Sequence, residues 1–245
     1  KPIVFTNNDS AYETAIEFKK NNINPIVLDS RQDSNSEIVK EAKSLGIDIK
    51  FSHVVVAAKG YKKVKSCDIA EISEDKQNLN QIKNIECDCI CVSGFWTPTI
   101  HLASQSGGKT KFKEEIDAFV PDKSKQKEVT LGSANGVFTL EETLKTSFDK
   151  GFELSKAITN NNNSQQIPKV SEKKHSKHDK FWCVPLPKGK KYKRFLDFQN
   201  DVAVSDIELA IREGYRSIEH VKRYTTLCMA TDQGKTSNLN GLQLV

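Results

Sequence analysis

The opening β-α-β pattern constrains this chain most. Residues 2–6 form a short apolar run, residues 11–20 carry apolar positions at helical spacing, and residues 25–28 form a second apolar run closed by Asp29. A strand needs apolar side chains at consecutive positions when both of its faces are covered. A ten-residue amphipathic stretch between two such runs is the pattern of a crossover helix joining buried strands. The fold class expected is therefore α/β.

A short turn after the first strand and an acidic residue at the end of the second is the layout of a dinucleotide-binding half. The glycines of that layout are missing. Where they would stand the chain has Thr6-Asn7-Asn8-Asp9-Ser10-Ala11, so close backbone approach to a pyrophosphate is not provided by the usual residue type. Asp9 or Ser10 reads equally as the N-cap of the helix that follows. A further helix is expected over residues 36–45, stopped by Gly46. Residues 47–50, the alternating stretch 51–59, a turn at Gly60 and the alternating stretch 62–71 predict a β-meander inserted beside the α/β unit.

After a polar segment, residues 87–92 read as a buried strand ending in Ser93-Gly94. Phe95-Trp96-Thr97-Pro98-Thr99 then leads into a short helix through Ser104 and a Gly107-Gly108 turn. Short strands are expected around 109–112, 118–120 and 128–131. The loop Gly132-Ser133-Ala134-Asn135-Gly136 feeds a long helix over 139–157. Residues 160–180 begin with four asparagines and hold almost no apolar side chains, which is the composition of a linker. Beyond it, a helix over 204–213 is stopped by Gly214, Ser217 caps a second helix, and the tail 225–245 reads as irregular.

Charge and cysteines exclude several functions. No apolar run approaches the ~20 residues of a membrane span. The excess of five positive charges, 37 Lys and Arg against 32 Asp and Glu, sits largely in runs at 173–180 and 188–194. Such runs are solvated linkers, and no nucleic-acid motif accompanies them. His175 and His178 stand at a metal-like spacing without further ligands. The six cysteines follow no secretory signal and form no CxxC pair, so they read as reduced cytosolic thiols. Cys87, Cys89 and Cys91 would share one face of a strand, where they suit a metal cluster or a strand using cysteine as a small apolar residue. The chain opens at Lys1 directly in a strand, which reads as an excised fragment.

Three segments carry a family resemblance. They are residues 4–12; Gly94-Phe95-Trp96-Thr97-Pro98-Thr99-Ile100-His101-Leu102 with Ser104-Gln105-Ser106-Gly107-Gly108; and residues 197–202 through Glu219-His220-Val221-Lys222-Arg223-Tyr224-Thr225-Thr226 to Thr231-Asp232-Gln233-Gly234-Lys235. Together they resemble the alpha subunit of heterotetrameric sarcosine oxidase.

The resemblance implies an alpha chain that binds NAD, shares an FMN with an FAD-carrying beta subunit and leads toward a tetrahydrofolate-binding domain. Beta, gamma and delta subunits would be its partners in the cytoplasm, with no nucleic acid and no membrane involved. It implies a disulfide-reductase-like, Rossmann-like half with an inserted meander over 1–158, a linker over 159–180, and over 181–245 a small helical module. That module is similar to a bacterioferritin-associated-ferredoxin domain without its cluster cysteines. Asp197 and Gln199 stand where one cysteine pair would be, and Thr231-Asp232-Gln233 where the other would, so no [2Fe-2S] cluster is expected.

In this frame Gly132, Ala134, Asn135 and Thr139 would face NAD, or only cap the long helix. Arg223, Thr225, Thr226 and Lys235, with Lys222 beside them, would grip the FMN phosphate, or form an ordinary cationic helix end. No residue of this chain is expected to act on the amine. Trp96, Pro98 and His101 read as packing residues, with His101 as a proton shuttle the alternative.

Overall fold

The computed structural model describes residues 1–159, 167, 169–170, 178–190 and 192–245. Two compact units result, one of Lys1–Gly94 with His175–Val245 and one of Phe95–Lys174.

The first unit begins with β1 (Pro2–Thr6), α1 (Ser10–Lys20) and β2 (Ile26–Asp29), then α2 (Glu37–Ser44) and β3 (Asp48–Phe51). With β7 (Cys89–Ser93) these strands form a four-stranded parallel sheet in the order β3-β2-β1-β7. The predicted β-α-β unit is present, with Ile3 opposite Ile26 and Thr6 opposite Asp29. Because side chains alternate along a strand, Val4 and Val27 point to one face and Ile3, Ile26 and Leu28 to the other. The first face is closed by α1 and α2 through Tyr12, Ala15, Ile16, Ile38, Val39 and Ala42. The second is closed by Cys67 and Ile69 of the antiparallel meander β4 (His53–Gly60), β5 (Val64–Glu71) and β6 (Lys83–Glu86). Each fully buried aliphatic side chain contributes about 1.5–3 kcal/mol relative to exposure, so the consecutive apolar run has a direct physical cause.

Local signals fix the ends of α2. Ser36 is extended at its N-cap position, and Gly46 takes a left-handed φ of 69° after it. Ile47 N–H donates to Ala42 O and Gly46 N–H to Lys43 O, the paired bonds of a Schellman ending. The meander differs from expectation at both ends: β3 belongs to the parallel sheet, and β6 arises from the segment read as merely polar. β7 is not a buried strand. It lies at the sheet edge, and Val92 is 69% exposed.

The remainder of this unit, from residue 192, is a small module. β10 (Phe195–Asp197) and β11 (Val202–Ala203) pair antiparallel ahead of α5 (Val204–Arg212), α6 (Ile218–Thr225) and α7 (Asn238–Leu242). Val202, Ile207, Ala210, Val221, Leu227 and Cys228 form its core. The tail expected to be irregular contains α7, whose Gly241 sits so close to Leu227 that a Cβ would come within 2.4 Å of its Cδ2. Small size, rather than helix propensity, selects that residue.

The second unit contains α3 (His101–Gln105), the hairpin β8 (Lys109–Lys113) and β9 (Ala118–Lys123), a 3-10 turn at Gly132–Asn135 and α4 (Leu140–Thr159). Residues 128–131, expected as a strand, join no sheet and lead through an extended Leu131 into the turn. The linker residues 160–166, 168 and 171–177, which include His175, lie outside the described residues, as does 191. Among the described residues no helix is long and apolar enough to cross a membrane.

Candidate functional site

An open parallel sheet takes its ligands beyond the carboxyl ends of its strands. In the first unit that region is filled by the chain's own polar groups. Thr6, Asn7, Asn8 and Asp9 are all buried. The Asn8 amide donates to Gly94 O and, at 3.3 Å, to Ser93 O, tying the turn after β1 to the end of β7. Asn8 Oδ1 accepts from Ser10 N–H at 3.0 Å, so Asn8 supplies the local cap expected of Asp9 or Ser10.

Asp9 is instead committed to Arg31. The guanidinium reaches Asp9 Oδ1 through Nη1 at 2.8 Å and grips Asp29 through Nη2 at 2.7 Å and Nε at 3.0 Å. Tyr12 donates its hydroxyl to Asp29 Oδ2 at 2.8 Å. Burial and the Asp29 charge push the Tyr12 hydroxyl far above its ordinary pKa. Burial pulls Arg31 down, yet its bonds to Asp29 and Asp9 more than reverse this. Both carboxylates are thus held by one buried cation.

Asp29 holds the position from which an acid binds a ribose in intact dinucleotide sites, and here its oxygens are engaged from three sides. Asp179 closes the region further. Its N–H donates to Asn7 O and its carbonyl accepts from the Asn7 amide, while its carboxylate pairs with Lys76. Sequence reasoning missed Arg31, although an arginine two residues beyond a strand-ending aspartate was the available signal.

In the second unit the predicted residues Gly132, Ala134 and Asn135 do lie together in one turn, with Thr139 immediately before α4. Gly132 and Gly136 have φ of 63° and 76°. A Cβ on Gly132 would sit 3.1 Å from Thr143 Cγ2, and one on Gly136 would sit 2.6 Å from Ile116 Cδ1, so the turn is bound tightly to its surroundings. Thr139 O accepts from Thr143 N–H, which starts the helix. Glu141 and Glu142 occupy the first turn of α4, and their charges oppose an anion at that helix end. Of the predicted packing residues only Pro98 is buried; Trp96 and His101 are exposed.

In the small module Asp197 and Gln199 are anchors. The Asp197 carboxylate is 3% exposed and accepts from the N–H groups of Gln199, Asn200 and Cys228 at 2.9, 3.3 and 3.2 Å. Thr231 donates to Gln199 Oε1 at 2.7 Å, and Asp232 accepts from Gly234 N–H and Thr236 Oγ1. These positions, read from the sequence as former cluster ligands, are thus cross-linked by hydrogen bonds.

Arg223 and Lys235 are exposed, and Thr226 ends α6 in a left-handed conformation. Gly234 packs against Cys228, which folds the loop carrying Lys235 back beside the exit of α6. Thr225 is a correction in part: its hydroxyl donates to Val221 O at 2.8 Å and has no proton left for a phosphate. Lys222 pairs loosely with Glu219 at 3.5 Å.

The three clustered cysteines do not share a face. Cys87 is buried with Cys67 between sheet and meander, where burial and then Cys87 push the Cys67 thiol up to about 12. Cys89 and Cys91 lie on the other side. The backbone breaks between β6 and β7 at Cys87 and Asp88, which a continuous-strand reading could not foresee. No group of three or more metal-ligating side chains occurs among the described residues.

Comparison with known proteins gives a consistent result. Residues 191–245 match the sarcosine oxidase A3 domain family. The chain is 30% identical over 249 residues to the sarcosine oxidase subunit alpha of Corynebacterium sp. (strain P-1), covering 99% of this chain and 25% of that protein. It is 32% identical over 251 residues to the corresponding subunit of Rhizobium meliloti (strain 1021), covering 100% and 23%. Among solved structures, the L-proline dehydrogenase of P. horikoshii superposes with a TM-score of 0.55 at 16% identity, over 99% of this chain and 43% of that one. The chain thus spans about a quarter of the length of the relatives it matches. It is homologous, over essentially its whole length, to part of the sarcosine oxidase alpha subunit.

Proposed function

We propose that this chain is the cofactor-holding middle part of a sarcosine oxidase alpha subunit. With beta, gamma and delta subunits in the cytoplasm, the whole enzyme demethylates sarcosine oxidatively. Oxygen and tetrahydrofolate are consumed, and glycine, 5,10-methylenetetrahydrofolate and hydrogen peroxide are formed. The observation that carries this reading is the end-to-end homology at 30–32% identity. In sequence, 1–158 is the Rossmann-like, disulfide-reductase-like half, which divides between the two compact units after Gly94, 159–180 the linker, and 181–245 the cluster-less ferredoxin-like module.

NAD is held mainly elsewhere in the alpha chain, with Gly132, Ala134, Asn135 and Thr139 facing it through the backbone of their turn. The paired state of Asp9, Asp29 and Arg31 favours a scaffold role for the first β-α-β unit. Arg223, Lys235 and Thr226 grip the phosphate of an FMN shared with the beta subunit. Thr225 secures the last turn of α6 beneath them. Two cations are the charge complement a phosphate dianion needs, and here they must outweigh the carbonyl end of α6. FAD, and the chemistry on the amine, belong to the beta subunit.

A second reading is a sibling enzyme acting on another secondary amine, such as dimethylglycine, proline or an opine. The proline dehydrogenase fold match supports it. One experiment addresses both: flavin inventory and amine-dependent peroxide release on the intact alpha chain co-expressed with its partner subunits, with and without Arg223→Ala plus Lys235→Ala. The expected result is sarcosine-dependent peroxide, and FMN occupancy lowered at least about tenfold by the double change, as for loss of two charge-assisted contacts, with FAD unchanged. Unaltered FMN would refute the phosphate grip. Peroxide or reduction with another amine only would establish the sibling reading.

A further inference from the structure

We propose that Cys89 and Cys91 form a two-thiol site for a soft divalent cation of the zinc and cadmium class. The two residues are neighbours on one face of β7, the edge strand of the parallel sheet, paired with Pro2 and Val4 of β1. Their sulfurs are 3.8 Å apart. Two thiolates bound at about 2.3 Å to one tetrahedral cation stand about 3.8 Å from each other, so the pair already has the bite such an ion requires. Cys89 is exposed and lines an open cleft of about 650 Å³ with Phe18, Ile23, Asn24 and Asp88, which gives the ion and its remaining water ligands an entry.

Cys91 is partly buried against the α1 side of the sheet, which fixes its direction. Each thiol yields its proton to solvent as it ligates, releasing two protons per ion bound. Soft d¹⁰ cations favour sulfur over the nearby carboxylate of Asp88, which already pairs with the Lys1 amino group at 2.8 Å. Cys87 takes no part, since it is buried on the opposite face. The site shares no residue with the proposed flavin and NAD contacts and rests on this strand's geometry. It takes up, with two cysteines rather than three, the metal alternative that the sequence left open for this strand.

The test is a titration of the reduced full chain with Cd²⁺, following the sulfur-to-cadmium charge-transfer absorption and the protons released. The expected result is one ion per chain, two protons per ion, and loss of the band in both Cys89→Ser and Cys91→Ser, with the band retained in Cys183→Ser. Cys89 is exposed, so its variant keeps the fold, and circular dichroism checks this. Absence of the band in the unaltered chain, or its persistence in Cys89→Ser, overturns the proposal.

Discussion

Arg31→Ala probes the polar cluster at the carboxyl end of the sheet. The side chains of Asp9 and Asp29 have no exposed surface, and that of Arg31 is 7% exposed. Removing the guanidinium leaves both buried carboxyl groups without their partner. Breaking one buried pair by deleting a partner costs about 3–5 kcal/mol, because the remaining charge keeps its desolvation penalty. Here one cation serves two acids, so the loss lies at the upper end of that range, about 4–5 kcal/mol. Arg31→Lys keeps the charge and loses the fork, since one ammonium cannot meet Asp29 twice and Asp9 once. Its cost is about 1–3 kcal/mol, the worth of the charge-assisted bonds given up. Urea unfolding followed by Trp182 fluorescence in a Trp96→Phe background reports on the unit that holds the cluster. A loss below about 1 kcal/mol for Arg31→Ala, the value of a solvent-screened surface pair, would refute the argument that these charges are buried and interdependent.

Gly136→Ala is expected to destabilise the Phe95–Lys174 unit by about 1–3 kcal/mol, because φ is 76° and the new methyl would meet Ile116 at 2.6 Å; near-UV dichroism against temperature measures it, and an unchanged midpoint contradicts the packing of that turn. Acid stability depends partly on Asp68. Burial raises its pKa, but hydrogen bonds from Lys59, Asn84 and Tyr192 and the Lys59 charge bring it below the ordinary aspartate value. A folded pKa below the unfolded one, about 3.9, gives stabilisation that is complete above the unfolded value and disappears as pH falls through the folded one. Asp68→Asn should therefore cost stability at neutral pH and flatten the acid limb of the urea midpoint, and parallel acid limbs for the two proteins would count against it.

The sequence carried the elements whose pattern is local. β1, α1 and β2 followed from apolar periodicity within the first thirty residues, and the Gly46 stop of α2 followed from the left-handed conformation that glycine adopts without strain. The turn at 132–136 and the helix after it were legible for the same reason. The strand expected at 128–131 was not formed, since strand pattern alone supplies no pairing partner. β6 was hidden because its side chains are mostly polar, and β10 and β11 because runs of three and two residues are too short to show a strand period.

Family membership was readable in the same way, since three separated segments keep their residues in order, and comparison with the alpha subunits agreed over the whole chain. The state of the candidate sites was not. Asp9, Asp29 and Arg31 meet only because parallel pairing brings the ends of β1 and β2 side by side, and a reading along the sequence assigns Asp9 to a cap, Asp29 to an open crevice and Arg31 no role. Cys87 parts from Cys89 and Cys91 because the chain leaves one sheet and enters another between them. Sequence by itself determined which segments are strand or helix and which family they follow, since those depend on neighbours along the chain. Only tertiary structure decided which polar groups satisfy one another, because a buried charge or thiol takes its partner from across space.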